Sequence, residues 1–271
     1  MVCYPNAKIN LGLNVVERRP DGYHNIETVF YPIGLCDELH VEPSETCRDY
    51  SFSASGIPIG GNPDDNLIVK AYWLLRSEYP FPPVDISLMK RIPFGAGLGG
   101  GSSDAAFMLK ALNELFGLKI TTRKLEKLAA ELGADCPFFV RNKPVFAEGK
   151  GNVFSDIEID LGNYHMLLVK PDIHVSTPDA YSMVVPAKPG NSLRELVRRP
   201  VSEWRGLINN DFEKSVFAKF PAIGSIKNQL YDLGAVYASM SGSGSSVYGI
   251  FEDNPGVSDE FGNCFVVQGM L

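Results

Sequence analysis

The sequence predicts a protein of mixed strands and helices, and three observations carry that prediction. Apolar residues alternate from Ala7 to Val15, which is the period of a half-buried β-strand. A glycine-rich stretch at 93–103 follows an alternating segment and precedes a segment with helical spacing. Near the middle of the chain the pattern shifts, and a second set of helices and strands begins. We therefore expect two domains, residues 1–155 and residues 156–271.

The first part predicts a meander of short strands together with three helices. A turn at 19–22 is indicated by Pro20, which fixes φ, and by Gly22, which accepts positive φ. The first helix is expected to be capped by Asp64 or Asp65. The strands are expected at 7–15, 24–31, 38–42, 50–53 and 84–88, and the helices at 66–78, from Asp104 to Gly117, and at 123–132.

The second part of the sequence is also expected to contain both helices and strands. Thr177 and Pro178 supply a cap and a first-turn proline for a helix, and helical segments continue to Leu233. A second loop rich in glycine and serine, at 241–246, separates two short strands. The strands are expected at 166–169, 236–240, 247–251 and 264–267.

Composition excludes several classes of protein. The 271 residues carry 25 Lys and Arg against 32 Asp and Glu, which gives a formal net charge of −7. A general nucleic-acid binder needs a basic surface to displace counterions from phosphates, so that class is excluded. The five cysteines never form a CxxC pair, which fits a reducing compartment and offers no zinc framework. No secretory signal and no apolar run near the ~20 residues of a membrane span are found, so we expect a cytoplasmic protein without membrane partners.

The glycine-rich loop is the most informative stretch of the chain. It places five glycines within seven residues, between a strand and a helix. Backbone N–H groups without side chains can surround an anion, and the start of the helix adds further donors and partial positive charge. The sequence therefore predicts a phosphate cradle. It consists of Pro93, Phe94, Gly95, Ala96, Gly97, Leu98, Gly99, Gly100, Gly101, Ser102 and Ser103.

Other glycine-rich motifs fit this loop less well. A Walker A loop needs a Lys after the glycines, and none follows here. Gly95, Gly97 and Gly100 satisfy GxGxxG, but a dinucleotide fold also needs an acidic residue about 20 positions further on at a strand end. Glu114 instead falls in mid-helix. The HRD and DFG tripeptides of protein kinases are absent. A simple tight turn remains the alternative.

Two charged residues are candidates for phosphoryl-transfer chemistry. This chemistry needs charge neutralisation on the phosphates and a group that receives the proton of the acceptor hydroxyl. Asp135 lies between a helix stop and an apolar segment, and Lys8 lies beside Asn10 on the second face of the first strand. The alternative for Asp135 is a helix N-cap, because Pro137 follows it. The alternative for Lys8 is a solvated strand face. Spacing alone does not bring the two together.

Taken together, several motifs resemble one superfamily of small-molecule kinases, that of galactokinase, homoserine kinase, mevalonate kinase and phosphomevalonate kinase. The opening PNAKINLGL, the loop PFGAGLGGGSSDA and the segment SMSGSGSS resemble its three motifs in order and spacing along the chain. The triple glycine, DGYH and GADCPFF are typical of the branch that phosphorylates a cytidylyl sugar alcohol. Most other members carry a shorter GLGSS form.

This resemblance implies a fold, a reaction and roles for residues. The implied fold is a two-domain α+β kinase fold, with an N-terminal ATP-binding domain, a C-terminal α+β substrate domain and a cleft between them. The implied reaction moves the γ-phosphoryl group of ATP to the 2-hydroxyl of an erythritol unit, in non-mevalonate isoprenoid biosynthesis. Asp135 is then the base and Lys8 its partner. Cytidine recognition is implied for Asn10, Tyr23, His24 and Tyr181.

The implied cofactors and partners are few. ATP-dependent transfer normally uses Mg²⁺, which is inferred here without an identified ligand set, with the hydroxyl of Ser102 or Ser103 as candidate contact. The expected partners are ATP and the small-molecule substrate, and the oligomeric state is left open. Tyr181 stands where many relatives have Phe, which preserves stacking. Asp104 stands where some have Asn, which makes the surroundings of the cradle more acidic.

Three other functions compete with this interpretation. A kinase of the same superfamily acting on mevalonate or homoserine is disfavoured by Tyr23 and His24. A nucleotide-binding sensor without catalysis is disfavoured by the presence of Lys8 and Asp135. A dinucleotide-dependent oxidoreductase is weakened by the missing acidic residue.

Overall fold

The computed structural model describes residues 1–256 and 259–271. Its strands are β1 (Val2–Cys3), β2 (Asn6–Arg18), β3 (His24–Cys36), β4 (Glu38–Pro43), β5 (Tyr50–Gly56), β6 (Val84–Lys90), β7 (Val145–Glu148), β8 (Val153–Asp156), β9 (His165–Lys170), β10 (Tyr237–Met240), β11 (Val247–Phe251) and β12 (Phe265–Met270). Its α-helices are α1 (Leu67–Glu78), α2 (Gly100–Leu115), α3 (Thr122–Leu132), α4 (Cys136–Arg141), α5 (Thr177–Tyr181), α6 (Leu193–Leu196), α7 (Glu213–Lys219) and α8 (Pro221–Asp232). The fold class predicted from the sequence, α+β, is confirmed.

Contacts divide the chain into two compact units, each made of several segments. The first unit comprises Met1–Ala7, Leu35–Phe94 and Gly99–Lys143, and the second comprises Lys8–Gly34, Gly95–Leu98 and Pro144–Leu271. Each unit consists of three separate segments, so this division does not test a single boundary along the chain. The boundary expected near residue 155 therefore stays a prediction. No helix in the described ranges is long and apolar enough to cross a membrane.

The first unit packs helices against one four-stranded sheet. The strand order is β1-β4-β6-β5, with β5 and β6 parallel and the other neighbours antiparallel. Helices α1, α2 and α3 contact one another, α4 contacts α2 and α3, and α2 contacts β4. The sheet therefore delivers the end of β6 to the glycine-rich loop, and α2 carries the chain away from it.

Two helix starts in the first unit differ from the prediction. The cap of α1 is Asn66, whose side chain accepts a hydrogen bond from the Ile68 N–H, so the prediction of Asp64 or Asp65 is wrong. Those two residues belong to the short 3₁₀ turn Pro63–Asp65. Helix α2 begins at Gly100, four residues before the predicted start at Asp104. Glycine has a low helix propensity, so Gly100 and Gly101 were expected in the loop. Tertiary packing overrides this propensity, and both residues belong to the helix.

The second unit contains two four-stranded sheets, ordered β10-β11-β9-β12 and β2-β3-β7-β8. Apolar residues of β9, β10 and β11 share a core cluster with residues of α7 and α8. Strand β2 is buried on both faces from Asn6 to Leu13. The expectation of a half-buried strand is therefore wrong for this stretch, because its polar face also lies inside the protein.

A buried ionic cluster joins the two ends of the glycine-rich loop within the first unit. Alternation along β6 turns Lys90 to the same side as the buried Val84, Ile86 and Leu88. Its ammonium group is ion-paired with Asp37 and, at 2.7 Å, with Asp104. A buried cation needs such partners, since an isolated charge is costly to remove from water. The cluster thus connects the strand before the loop with the helix after it.

The two carboxylates of this cluster are not equivalent. Asp37 also accepts hydrogen bonds from the Arg91 and Ile92 N–H groups, at 2.6 and 2.8 Å. Burial raises the pKa of Asp104 to about 7, with the Lys90 cation opposing the rise and the Asp37 charge adding to it. One cation facing two carboxylates leaves a net negative charge, and a proton on Asp104 removes it.

The Asp104→Asn variant should flatten the pH dependence of stability. Folding raises the pKa of Asp104 from 3.8 to about 7, so the protonated group contributes stability fully below its ordinary pKa and loses it as the pH rises through about 7. An amide carries no such dependence. Between about pH 5 and pH 8, the free energy of unfolding of the variant should fall by about 2–3 kcal/mol less than that of the wild type in urea titrations.

Asp37→Asn is the matched control for this prediction. Because Asp37 accepts hydrogen bonds from two backbone N–H groups as well as from Lys90, its loss should lower the free energy of unfolding at both pH values. Equal pH slopes in the wild type and Asp104→Asn would contradict the assignment of the proton to Asp104.

Candidate active site

The glycine-rich loop has an unusual backbone. Gly95, Gly97 and Gly99 have φ angles of 58°, 75° and 71°, in the left-handed region that favours glycine. Gly99 is also the N-cap of α2, so the left-handed turn leads directly into the first turn of the helix. Alternating left-handed residues expose successive N–H groups on a concave side, which is the geometry of an anion-binding nest.

The second glycine–serine loop, residues 241–246, supports Gly97 within the second unit. A Cβ on Gly97 would overlap the Ser241 carbonyl oxygen, so the close approach of the two backbones requires glycine here. The Ser241 hydroxyl donates a hydrogen bond to the Gly97 carbonyl at 2.9 Å. The Ser246 N–H donates to the Ala96 carbonyl at 3.3 Å. The two loops are therefore one packed structure.

Lys8 is buried rather than solvated, so that alternative is wrong. Its side chain is 4% exposed, and its ammonium group donates to the Asn10 Oδ1 at 2.6 Å and to the Gly97 carbonyl at 3.0 Å. The ammonium also lies 4.8 Å from the centre of the Phe30 ring. The Asn10 amide donates in turn to Thr28 Oγ1 at 2.9 Å. The structure thus brings Lys8, Asn10 and the loop together.

Asp135 occupies the N-cap position of α4 in the first unit, but its side chain makes no capping hydrogen bond. The alternative of a helix N-cap is therefore right about the position of Asp135, but its side chain does not act as the cap. The neighbouring Cys136 is buried, and burial raises the pKa of its thiol to about 11. A thiol that stays protonated is a poor nucleophile, so Cys136 is not a candidate nucleophile.

The segment around Asp135 lies against the first turn of α2. Helix α4, which begins at Cys136, packs against α2, and the Ser102 hydroxyl opposes the rise in the pKa of the Cys136 thiol. The Ser102 Oγ also lies 4.0 Å from the position that a Cβ on Gly133 would occupy. The end of the glycine-rich loop and the residues flanking Asp135 are therefore in contact, although 33 positions separate Ser102 from Asp135 in the sequence.

Aromatic residues predicted to recognise cytidine form a group in the second unit. The rings of His24 and Tyr181 are stacked, with centroids 4.7 Å apart and an interplanar angle of 24°. Tyr181 also contacts the edge of Phe212. Tyr23 is 61% exposed, and the Lys150 ammonium lies 4.4 Å from its ring centre. The structure therefore brings His24 and Tyr181 together, and Tyr23, which precedes His24 in the chain, has a largely accessible ring.

A cavity of about 480 Å³ opens beside the loop in the first unit. Its walls come from β5, from the segment before α1 and from α2, with Phe94, Gly101 and Asp104 on the loop side. Asn66 also lines it, whereas the Lys90 side chain is enclosed by its two carboxylates. The apolar wall residues carry no sequence signal of their own, because three separate elements supply them. They are Phe52, Ala54, Ile59 and Leu67.

The residues near the loop fit a Mg²⁺ ion held mainly by phosphate. Among the described residues, no group of three His, Cys, Asp or Glu side chains could hold a metal. The Ser103 hydroxyl, in the first turn of α2, is buried and has no hydrogen-bond partner. Mg²⁺ keeps several waters and takes few protein ligands, so one such hydroxyl beside a triphosphate is a suitable donor set.

Family models match both halves of the chain. The model described as "GHMP kinases N terminal domain" matches residues 66–143, and the model described as "GHMP kinases C terminal" matches residues 192–261. The first match contains the whole glycine-rich loop and Asp135. The second contains the segment that leads to the second glycine–serine loop, and that loop itself.

Curated proteins and solved structures agree with these matches. The chain is 55% identical to 4-diphosphocytidyl-2-C-methyl-D-erythritol kinase of Parabacteroides distasonis over all of both chains. It is 59% identical to the Bacteroides fragilis protein of the same name, over 93% of this chain and 92% of the relative. A crystal structure of 4-(cytidine 5'-diphospho)-2C-methyl-D-erythritol kinase matches with a TM-score of 0.82 and 32% identity, over 99% of this chain and 98% of that one. Homoserine kinase from Cytophaga hutchinsonii, with a TM-score of 0.64 and 16% identity over 98% of this chain and 94% of that one, shares the fold.

Gly97→Ala should weaken ATP binding at least tenfold. The added Cβ would overlap the Ser241 carbonyl, so the two loops must separate and the cradle must change shape. The measurement is ATP affinity by calorimetric titration. Gly206→Ala is the control, since Gly206 also has a left-handed φ, 81°, but open space around it. It should lose about 1 kcal/mol of stability from backbone strain and keep its ATP affinity. Equal loss of affinity in both variants would contradict the importance of the loop contact.

Proposed function

The chain belongs to the GHMP kinase family, among the 4-diphosphocytidyl-2-C-methyl-D-erythritol kinases, and from this premise we propose its reaction. It transfers the γ-phosphoryl group of ATP to the 2-hydroxyl of 4-(cytidine 5'-diphospho)-2-C-methyl-D-erythritol, in non-mevalonate isoprenoid precursor biosynthesis. The protein is thus a phosphotransferase with an alcohol as acceptor. Its substrates are ATP and one small molecule.

One observation carries the catalytic proposal. Helix α4, which Asp135 directly precedes, packs against α2, and Ser102 in the first turn of α2 lies beside Gly133. A carboxylate beside a phosphate cradle can receive or orient the hydroxyl of the acceptor. This geometry supports Asp135 as the catalytic carboxylate.

Asp135 would act more by orientation than by removing a proton early. Phosphoryl transfer passes through a loose transition state in which the attacking oxygen carries little new bonding. Such a transition state demands alignment of the hydroxyl with the leaving group and stabilisation of charge on the phosphoryl oxygens. A carboxylate that accepts the hydroxyl proton fixes the direction of the oxygen lone pair, and it takes the proton as the bond forms.

Lys8 would supply the positive charge of the reaction. Its ammonium group is buried and donates to the Gly97 carbonyl of the loop and to Asn10. A buried ammonium interacts with phosphate charge more strongly than a solvated one, since little water screens it. This environment supports Lys8 as a catalytic residue, and it supports Asn10 as a neighbour able to orient both Lys8 and a substrate oxygen.

The aromatic residues suit recognition of the cytidine group. A pyrimidine can stack on the accessible ring of Tyr23 and lie against the pair of His24 and Tyr181. The imidazole can hydrogen-bond the edge of the base, which has both donors and acceptors. We propose these three residues together with Asn10 as the substrate-binding set.

ATP would bind through the loop 93–103 and the neighbouring cavity. The left-handed glycines and the start of α2 would hold the phosphates, and the cavity of about 480 Å³ is large enough for a purine base. Mg²⁺, when bound, neutralises charge on the phosphates. The hydroxyls of Ser102 and Ser103 are the candidate protein contacts for that ion.

We also propose a functional division along the chain. Residues 1–155 would carry ATP binding and the catalytic carboxylate, and residues 156–271 would complete the substrate site. A cytoplasmic location is proposed because the cysteines among the described residues are all free, as expected in a reducing compartment.

The substrate assignment can be tested by measuring ADP release with Mg-ATP and one alcohol at a time. We expect turnover with the cytidylyl methylerythritol and at least 100-fold lower kcat/KM with mevalonate or homoserine, which lack a base to stack on Tyr23. Free methylerythritol 4-phosphate, which lacks the cytidylyl group, is the matched control for base recognition. Faster turnover with mevalonate than with the cytidylyl substrate would overturn the assignment.

Asp135→Asn should lower kcat by at least 100-fold while the Kd for ATP changes less than threefold. The amide keeps the shape of the side chain but cannot take a proton, and general-base catalysis is worth about 10²–10⁴-fold. Steady-state kinetics and ATP titration separate the two effects. Asp232→Asn, at the exposed end of α8, is the control and should behave as the wild type. A kcat within threefold of the wild type in Asp135→Asn would refute the catalytic role.

A further inference from the structure

A short polar segment, Asn209–Glu213, holds together parts of the second unit that the proposed function uses. No sequence motif places this segment near a ligand, because it lies in a stretch expected to be helical. Asn210 is 2% exposed and has a single β-bridge to Leu13 of β2. The Leu13 N–H donates to the Asn209 carbonyl, and the Asp211 N–H donates to the Leu13 carbonyl, at 2.9 and 2.8 Å. The segment is therefore fixed to the strand that carries Lys8 and Asn10.

The Asn210 amide holds the second glycine–serine loop. Its Nδ2 group donates to the Met240 carbonyl and to the Gly242 carbonyl, both at 2.8 Å. Its Oδ1 accepts from the Phe212 N–H at 3.0 Å. Both amide hydrogens are thus used, and they bind the carbonyls on either side of Ser241. No other side-chain type of this size offers two donors and an acceptor in that arrangement.

Ser241 passes this constraint to the glycine-rich loop. Its hydroxyl donates to the Gly97 carbonyl at 2.9 Å and accepts from the Asn10 N–H at 3.2 Å. The Gly97 carbonyl also accepts from Lys8, so two donors fix the plane of the Gly97–Leu98 peptide. In a trans peptide the N–H points away from the carbonyl. The direction of the Leu98 N–H, one of the cradle donors, is therefore set by this chain of contacts.

Strand β10, which precedes the second glycine–serine loop, is held by Glu213 of the same segment. Glu213 accepts hydrogen bonds from the Met240 N–H at 2.9 Å and from the Ser239 hydroxyl at 3.1 Å. Its other oxygen pairs with Lys227 at 2.6 Å. A buried carboxylate with three donors is satisfied, so the arrangement is rigid rather than strained.

Phe212, two residues after Asn210, contacts the aromatic group of His24 and Tyr181. Its ring and that of Tyr181 form an edge-to-face pair with centroids 4.6 Å apart, and Tyr181 stacks on His24. Phe212 is itself 4% exposed and belongs to the core cluster of the second unit. Asn210 thus contacts the loop that supports the proposed ATP cradle, and Phe212 contacts the aromatic group proposed to bind the cytidylyl substrate.

We propose that Asn209–Glu213 is a positioning element in which Asn210 sets the affinity for ATP through Ser241 and Gly97, and Phe212 sets the affinity for the cytidylyl substrate through Tyr181. This inference rests on the proposed function. Neither residue touches the reacting groups, and each acts by fixing a group that binds a ligand. A displacement of a few tenths of an ångström in a hydrogen-bonding donor is enough to weaken an oriented interaction.

The test separates the two ligands kinetically. Asn210→Ala should raise KM for ATP about tenfold and change KM for the cytidylyl substrate less than twofold. Phe212→Leu should do the reverse, because it keeps apolar volume but removes the ring that meets Tyr181. Asn209→Ala is the matched control, since this exposed neighbour donates only to the Gly206 carbonyl, at 3.5 Å, and it should leave both KM values unchanged.

Two further variants distinguish positioning from general loss of stability. Trp204→Phe removes the buried hydrogen bond from the indole N–H to the Arg199 carbonyl, away from both loops. It should lower Tm as Asn210→Ala does and leave KM for ATP unchanged. Ser241→Ala removes only the hydroxyl, should raise KM for ATP about tenfold, and remains informative if Asn210→Ala fails to fold. In the double variant the two KM effects should be less than multiplicative, because both act on Gly97.

Clear outcomes oppose the proposal. If Asn210→Ala and Ser241→Ala change KM for ATP less than twofold, or if each variant raises both KM values equally, the positioning role is refuted. Direct titrations with ATP and with cytidine diphosphate keep this test separate from the proposed reaction. A wild type that binds both probes but shows no turnover would refute the proposed function, while the affinities of the variants would still decide the positioning role.

Discussion

The structure of the candidate site depends on one carbonyl group. The Gly97 oxygen accepts hydrogen bonds from the Lys8 ammonium and from the Ser241 hydroxyl, which come from the start and the end of the chain. The Ser241 backbone can lie this close only because residue 97 has no side chain, and the φ of 75° at Gly97 is one that glycine adopts readily. The conformation of the phosphate cradle is therefore decided by contacts outside the loop.

Charge is distributed around the loop in a way that composition does not suggest. The chain has a formal net charge of −7, yet Lys8 and Lys90 are both buried near the loop. Lys90 is neutralised by Asp37 and Asp104 and has a structural role. Lys8 instead lies beside the loop, where its ammonium group donates to oxygens of Asn10 and Gly97.

Sequence patterns predicted elements better than they predicted ends and burial. The predicted strands and long helices lie where alternation and helical spacing put them, although β1, β7 and β8 were not predicted. The helix caps are less well predicted because Asp64, Asp65 and Asn66 all have suitable side chains. Strand β2 was expected to have one solvated face, since polar residues alternate with apolar ones along it. The strand is buried on both faces, because hydrogen bonds inside the protein satisfy Lys8 and Asn10.

The sequence by itself determined the local geometry: a strand, a run of glycines able to take left-handed φ angles, and a helix start suited to anions. It also determined which residue types are available, since Asp135 and Lys8 stand out from their apolar neighbours. Only the tertiary structure decided what these groups meet. Ser241 reaches Gly97 across 144 positions of the chain, and Asn210 reaches the carbonyls beside Ser241. Periodicity describes how near neighbours share a face, whereas contacts between distant segments depend on how the elements pack.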